Sequence, residues 1–416
     1  MKIGIVTTWF ERGAAYVSKQ FRDILAADHE VFIYARGGEE YAIGDEKWDH
    51  DYVTWGAQPL SHAFTDMHLE DFRAWLETNN IDTVLFNEQK IWAPVLLCRE
   101  LGIKVGSYID YYTEQTVPMF GVYDFLVCNT HRHHSAFSWH PNSLFIPWGT
   151  DTNLYQYQPE DRDEQAPVRY FHSAGMSPYR KGTDLLLKAF KQVSGNVKLI
   201  IHSQVKLEQH FPELKETIAS LKAQDKLDVH EYTVSAPGLY HLGDIYVYPS
   251  RLDGIGLTIL EAGAAGLPII VPDNGPMNEF VTEGVNGYTA KIEKLWSRWD
   301  GYYWPQCEVS IDSLAEAMQI YADKQADISV IKQQARQYAE QHFDWSKNTS
   351  ALSAKIEGVS KRTETDICDA KALAVKYDKS LFAKHPKSKK TLIAEQLERD
   401  YPSLHKALKG VWQKIK

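Results

Sequence analysis

At 416 residues the chain is too long for one ordinary hydrophobic core and suits two domains with a remainder. It is 44% hydrophobic and 24% charged, and no run approaches the roughly 20 apolar residues of a membrane span, so a globular chain is expected. A formal net charge of -10 excludes nucleic acid as the main partner, because neutralising phosphates requires a basic field.

Met1–Thr8 carries one lysine and enters an apolar strand directly, without the apolar core and cleavage site of a secretory signal, which predicts cytoplasmic residence. Short apolar runs then alternate with helical stretches: Lys2–Val6, a helix over Ser18–Ala27, Glu30–Tyr34, Thr83–Phe86, Val105–Ile109 and Phe125–Cys128. That alternation predicts parallel strands joined by crossover helices. The rhythm stops over the polar stretch 151–167 and restarts at Arg169–His172, which reads as an interdomain linker. A second series follows through Lys198–Ile201, Leu227–Tyr232, Ile245–Tyr248, Pro268–Val271 and Gly287–Ala290, with helices over Asp184–Gln192, Gly256–Gly266 and Ser313–Asp323.

Two α/β Rossmann-like domains are therefore expected, 1–160 and 161–345, followed by a helical crossover and basic extension over 346–416. Trp345 is expected to open a segment that crosses back onto the first half. Ligands of open α/β sheets sit outside the carboxyl ends of the strands, so two facing halves would hold a donor and an acceptor between them. From Lys361 to Lys416 there are 14 Lys and Arg against 7 Asp and Glu, and apolar residues recur at helical spacing (Ile393, Leu397, Leu404, Leu408, Val411, Trp412, Ile415) after and around Pro402. Such a tail either packs on the first domain or makes a peripheral contact with an anionic membrane face that presents a lipid-linked acceptor. Cys98, Cys128, Cys307 and Cys368 are scattered without C-x-x-C spacing and are expected to be buried hydrophobes.

The strongest local signal runs from Pro249 to Pro268. A strand ending at Tyr248 meets a glycine-rich turn and then a helix, so backbone N–H groups at the helix start are free to face a diphosphate. Asp253 in the turn and Glu261 two turns into the helix are better partners for sugar hydroxyls than for phosphates, which they would repel. Alternatively, the stretch is a plain Gly-rich turn with an Asp cap.

The run from Asp253 to Glu261 resembles the signature of the retaining GT-B glycosyltransferases of family 4, glycosyltransferase group 1, with Asp253 where a glutamate is usual and Ile255 where an aromatic is usual. The resemblance extends over Met1 to Trp345: Ile146–Asp151 is similar to the segment closing the first domain, Ala174–Gly182 to the cation loop, and Asn274–Glu279 with Asn286–Tyr288 to structural turns that follow the donor motif. It implies a GT-B fold and transfer of a sugar from a nucleoside-diphosphate-sugar, UDP- or GDP-linked, to a hydroxyl acceptor in glycan or polysaccharide biosynthesis. It further implies that Asp253 contacts the donor sugar, that the backbone of Gly254, Ile255, Gly256 and Leu257 holds the distal phosphate, that Glu261 takes ribose hydroxyls, and that Lys181 neutralises the leaving diphosphate. Met176 stands where the family has a second cation, and Arg180 is the residue expected to supply it.

In the first half, Asp110 stands where family members carry a histidine; there it would orient the acceptor or donor, or support positive charge at the anomeric carbon, or simply cap a turn. Gly13, in the loop after the first strand, would let the backbone approach substrate. The catalytic set is thus Asp110, Lys181 and Asp253. His131, His133 and His134 are expected to be polar surface at a helix start rather than metal ligands, and Asp161-Arg162-Asp163, which mimics a metal motif, to be solvated charge in the linker. No metal and no cofactor are expected, the nucleotide-sugar being a substrate and the partner a glycan or lipid-linked acceptor. Trp296, Trp299, Tyr302, Tyr303 and Trp304 form an aromatic burst that suits a sugar-stacking lid, an oligomer contact or a locally packed loop. A non-hydrolysing nucleotide-sugar epimerase, or a carbohydrate-binding homologue without activity, is the alternative to a transferase.

Overall fold

Apolar runs bounded by turns form parallel strands when helices cover both faces of the sheet, and this governs both halves of the chain. The computed structural model describes residues 1–159, 162–163 and 165–401, without the side chains of 396 and 398–400. The first strands are β1 (Lys2–Thr7), β2 (Glu30–Ala35), β3 (Val53–Trp55), β4 (Thr83–Phe86), β5 (Lys104–Tyr108), β6 (Phe125–Cys128) and β7 (Ser143–Phe145), in the sheet order β3-β2-β1-β4-β5-β6-β7. Ile5 lies between Ile33 and Leu85 in parallel register. The later strands are β8 (Val168–Gly175), β9 (Val197–Ser203), β10 (Leu227–Glu231), β11 (Ile245–Val247), β12 (Ile269–Pro272) and β13 (Gly287–Ala290), ordered β10-β9-β8-β11-β12-β13. A separate antiparallel pair, β14 (Ile292–Trp296) and β15 (Gln306–Val309), follows.

The chain forms two compact units. The first comprises Met1–Val127, Phe137–Leu144 and the chain from Leu352 onward; the second comprises Cys128–Ala136 and Phe145–Ala351. Residues 145–159 thus belong to the second unit, and Trp345 remains there, its ring 4.5 Å from that of Trp148 while its N–H donates to the Thr150 carbonyl at 3.0 Å. The core of the second unit is built on Tyr170, Leu186, Leu199, Val247, Ile270 and Met318.

The described part of the C-terminal extension from Leu352 to Tyr401 belongs to the first unit. Its helix Glu364–Lys384 starts with a capping box between Thr363 and Asp366. From the middle of that helix the buried Asp378 accepts the N–H groups of Trp92 and Ala93 at 2.9 and 2.8 Å, closing the start of the helix Ala93–Glu100. Burial pushes the Asp378 carboxyl up to about 6, against the pull of those two donors. Leu404, Leu408, Val411, Trp412, Ile415 and Pro402 of the expected amphipathic tail lie outside the described residues. Among the described residues no helix is long and apolar enough to cross a membrane.

Two expectations about side-chain burial are corrected. Cys98, Cys128 and Cys307 are buried, but Cys368 is exposed on the outer side of the C-terminal helix. Arg162 is not solvated: its guanidinium donates to the fully buried Asp244 at 2.6 Å, and a buried carboxylate needs such a partner. Asp161 lies outside the described residues, and Asp163 accepts the Gln165 N–H in a local turn.

Candidate functional site

In the second sheet the strand order reverses between β8 and β11, so the loops leaving their carboxyl ends lie side by side, the position where open α/β sheets bind ligands. The loop after β8 carries Arg180 and Lys181; the loop after β11 carries Ser250 to Gly256. Gly182, at a φ of 71°, is where they touch: a Cβ there would stand 2.0 Å from the Pro249 carbonyl oxygen. Only glycine permits both that backbone conformation and that approach. The Arg251 N–H bonds the Arg180 carbonyl at 2.8 Å and completes the seam.

Asp253 is the centre of the cluster. Its carboxylate accepts from Arg180 Nη1 at 2.7 Å, Lys181 Nζ at 3.1 and 3.2 Å, Tyr248 Oη at 2.6 Å and Ser250 Oγ at 2.6 Å. Burial would raise its pKa, but the Lys181 and Arg180 charges and the two hydroxyl donors outweigh it, so the carboxyl is held well below the usual carboxylate range. Lys181 also contacts the Tyr248 hydroxyl, and burial brings its ammonium down to about 8 despite the neighbouring Asp253. The same carboxylate keeps the Arg180 guanidinium charged.

Gly256, at a φ of 89°, precedes the helix Leu257–Ala264 and supplies no side-chain cap; its carbonyl takes the Ile259 N–H at 2.9 Å, which leaves the N–H groups of Leu257 and Thr258 to other acceptors. One turn on, Glu261 accepts the Tyr240 hydroxyl at 2.5 Å, and burial raises its pKa against the hydrogen bonds of Tyr240 and Tyr155 and the Lys181 charge. Ile255 is buried beneath the loop. Arg180, Lys181, Asp253, Gly254, Ile255, Gly256, Leu257 and Glu261 thus lie on two adjoining loops and the helix that follows. Met176, at 74% exposure, stands apart from Asp253's partners.

Asp110 and Gly13 belong to the first unit. Asp110 follows the carboxyl end of β5 and is half-buried. Gly13 opens the helix Gly13–Leu25, and a Cβ placed on it would meet nothing within 4 Å, so local packing does not require glycine there.

Tyr240 and Tyr155 on Glu261 escaped sequence reasoning, and so did three further contributors. Tyr248 and Ser250, both fully buried, hold Asp253, and the only hint was their proximity to it in the chain. His133, expected at the surface, is fully buried, and its Nε2 lies 2.9 Å from the Gly254 carbonyl oxygen; a carbonyl can only accept, so Nε2 carries the proton. Burial lowers its pKa to about 4, leaving a neutral ring near pH 7. The cause is that Cys128–Ala136 packs within the second unit, where the N–H groups of His131 and Arg132 donate to Glu279 at 2.5 and 2.7 Å and the Arg132 guanidinium to the Gly275 carbonyl. Among the described residues no cluster of His, Cys, Asp or Glu could hold a metal ion.

Residues 158–297, which contain Arg180, Lys181, Asp253 and Glu261, match the family described as glycosyl transferases group 1. A curated relative is the lipopolysaccharide core biosynthesis mannosyltransferase LpsB of Rhizobium meliloti, 44% identical over 158 residues, which are 35% of this chain and 44% of that protein. The chain therefore spans less than half the length of that relative. A GDP-mannose-dependent monoacylated phosphatidylinositol monomannoside mannosyltransferase of Corynebacterium glutamicum is 25% identical over 321 residues, 67% of this chain and 82% of that protein. Among solved structures, Anabaena HepE in complex with UDP superposes with a TM-score of 0.67 at 18% identity, over 86% of this chain and 99% of that one. At that identity the likeness concerns the fold, and two parallel Rossmann-like sheets with helices constitute the GT-B architecture.

Proposed function

We propose that the chain is a retaining, metal-independent glycosyltransferase that moves a sugar from a UDP- or GDP-sugar to a hydroxyl of a glycan or lipid-linked acceptor. The observation that carries this is the pairing of Arg180 and Lys181 with Asp253, in the loop that leads into the helix start at Gly256–Leu257. Two cations held on the loop before a helix start without a side-chain cap are an arrangement suited to a leaving diphosphate. A diphosphate would compete with Asp253 for both cations, freeing its carboxylate for hydroxyls of the donor sugar. Glu261 suits the ribose hydroxyls. With the departing phosphate taking the acceptor's proton, the residues serve to position both sugars and stabilise charge rather than to supply a strong base. Names of relatives support the donor class: one is GDP-mannose-dependent and one binds UDP. Asp110 and Gly13 would serve the acceptor side, without any cofactor.

A thermal-shift screen over UDP-, GDP- and ADP-sugars tests the donor class, since a ligand that binds only the folded state raises the melting temperature. A chain stabilised by none of them at millimolar concentration is not such an enzyme.

The Lys181 ammonium adds a pH signature. With its pKa lowered from 10.5 to about 8, the cation is lost as pH rises through about 8, and diphosphate affinity falls with it. Between those values the unfolded chain binds the extra proton, so this lysine's contribution to the stability of the free protein rises with pH. The nucleotide-induced shift should therefore shrink from pH 7 to pH 9 in the natural protein, and much less so in Lys181→Met. Equal shrinkage in both would remove Lys181 from the diphosphate site.

A further inference from the structure

Residues 291–309 form an antiparallel ribbon. β14 and β15 pair with Leu295 opposite Cys307 and Trp296 opposite Gln306, and 297–305 make the tip. The aromatic side chains differ in what they do. Tyr302 is buried, and the Trp304 ring lies 4.7 Å from the Arg132 guanidinium, so these two anchor the tip. Trp299 is 92% exposed, more than any other large hydrophobic residue described, and Tyr303, whose ring packs edge-on against Trp304 at 5.1 Å, is 40% exposed. A ring so exposed contributes little to folding, because the hydrophobic gain requires removal from water.

The base of the ribbon is tied to the candidate donor loop. The Cys307 N–H donates to the Arg251 carbonyl at 2.9 Å, the Arg251 guanidinium pairs with Glu308 at 2.6 Å, and the Arg251 N–H holds the Arg180 carbonyl. The ribbon carries Lys291, Lys294 and Arg298 against Glu293, Asp300 and Glu308, and Arg298 is already paired with Asp300 at 3.0 Å. A neutral ribbon has no attraction for a polyanion or an anionic lipid surface. Flat rings with balanced charge around them suit a ligand with apolar ring faces and hydroxyl edges.

We propose that the ribbon tip, centred on Trp299 with Tyr303, is a stacking platform for a neutral pyranose chain, the distal part of an acceptor glycan several sugars long. This rests on the assignment of the Arg251–Gly266 stretch as a donor site. The test is affinity electrophoresis of the full chain in native gels containing mannan, dextran or galactan, with Trp299→Ala and the control Trp139→Ala, whose ring is exposed on the first unit. Vesicle flotation with phosphatidylglycerol and phosphatidylcholine, and the melting shift with UDP and GDP, are measured on the same samples. At least one polysaccharide should retard the natural protein and Trp139→Ala, while Trp299→Ala shows a rise of about fivefold or more in apparent dissociation constant with melting temperature and nucleotide shift unchanged. Three outcomes would overturn the platform alone, with the nucleotide shift intact: no retardation in any gel, equal retardation of Trp299→Ala, or vesicle flotation lost in Trp299→Ala. Trp299-dependent retardation of a protein that no nucleotide stabilises would overturn the donor site, and with it the assignment of this face to an acceptor.

Discussion

Lys181→Ala is expected to lower kcat/KM for the nucleotide-sugar by about 10²–10³-fold, the loss seen when one preorganised donor to a developing anion is removed. The size follows from where the ammonium sits. Its side chain is only 14% exposed, so its charge acts in a medium that screens poorly. Arg180 reaches the same carboxylate, but its side chain is 42% exposed, and Arg180→Ala should cost about tenfold, as a more screened cation would. The fold should tolerate Lys181→Ala, since Asp253 keeps Arg180, Tyr248 and Ser250 as partners. Initial rates with a donor identified by thermal shift provide the measurement. A Lys181→Ala protein with the natural kcat/KM would mean that the diphosphate leaves elsewhere.

The part of this site that could be read from sequence was the part encoded locally. Thr83–Phe86 and Phe125–Cys128 are strands over those same residues, because a strand covered on both faces is a continuous apolar run closed by turns. β3 and β7 have three half-buried residues each and lack both alternation and a run, so nothing marked them out. The ribbon of β14 and β15 was visible only as an aromatic burst, since its strands mix charge and aromatics without period. Asp253, Lys181 and Glu261 stood out by spacing around glycines. Their surroundings did not: Tyr240 reaches Glu261 from the far side of β11, and His133 reaches Gly254 across 121 residues of sequence. Such pairings depend on which strands neighbour one another, a property of topology rather than of spacing. The same holds for Arg162, whose partner Asp244 lies 82 residues on.

Arg251 begins the glycine-rich run, yet its chemistry is structural, and Arg251→Met should separate stability from donor chemistry. Its guanidinium is 1% exposed and holds Asp184 at 2.7 and 2.9 Å and Glu308 at 2.6 and 3.1 Å, with the Tyr179 carbonyl as a further acceptor and the Tyr179 ring at 3.9 Å. Removing it leaves the nearly buried Asp184 and the partly buried Glu308 without a counter-ion, for which a loss of about 3–5 kcal/mol is expected. Asp184 lies in the first turn of the helix Thr183–Phe190, so part of its charge is still met by the helix start, which places the loss toward the lower figure. Denaturant unfolding followed by two probes, one reporting on each unit, should show the loss in the transition of the second unit only, because every partner of Arg251 lies within it. Whatever protein remains folded should still be stabilised by the donor nucleotide, since Lys181, Arg180 and Asp253 retain one another. A loss below about 1 kcal/mol would show that Asp184 and Glu308 are served by water in the natural protein, and the ribbon's attachment to the glycine loop would then rest on Cys307, through its N–H to the Arg251 carbonyl and its thiol to the Ser250 carbonyl.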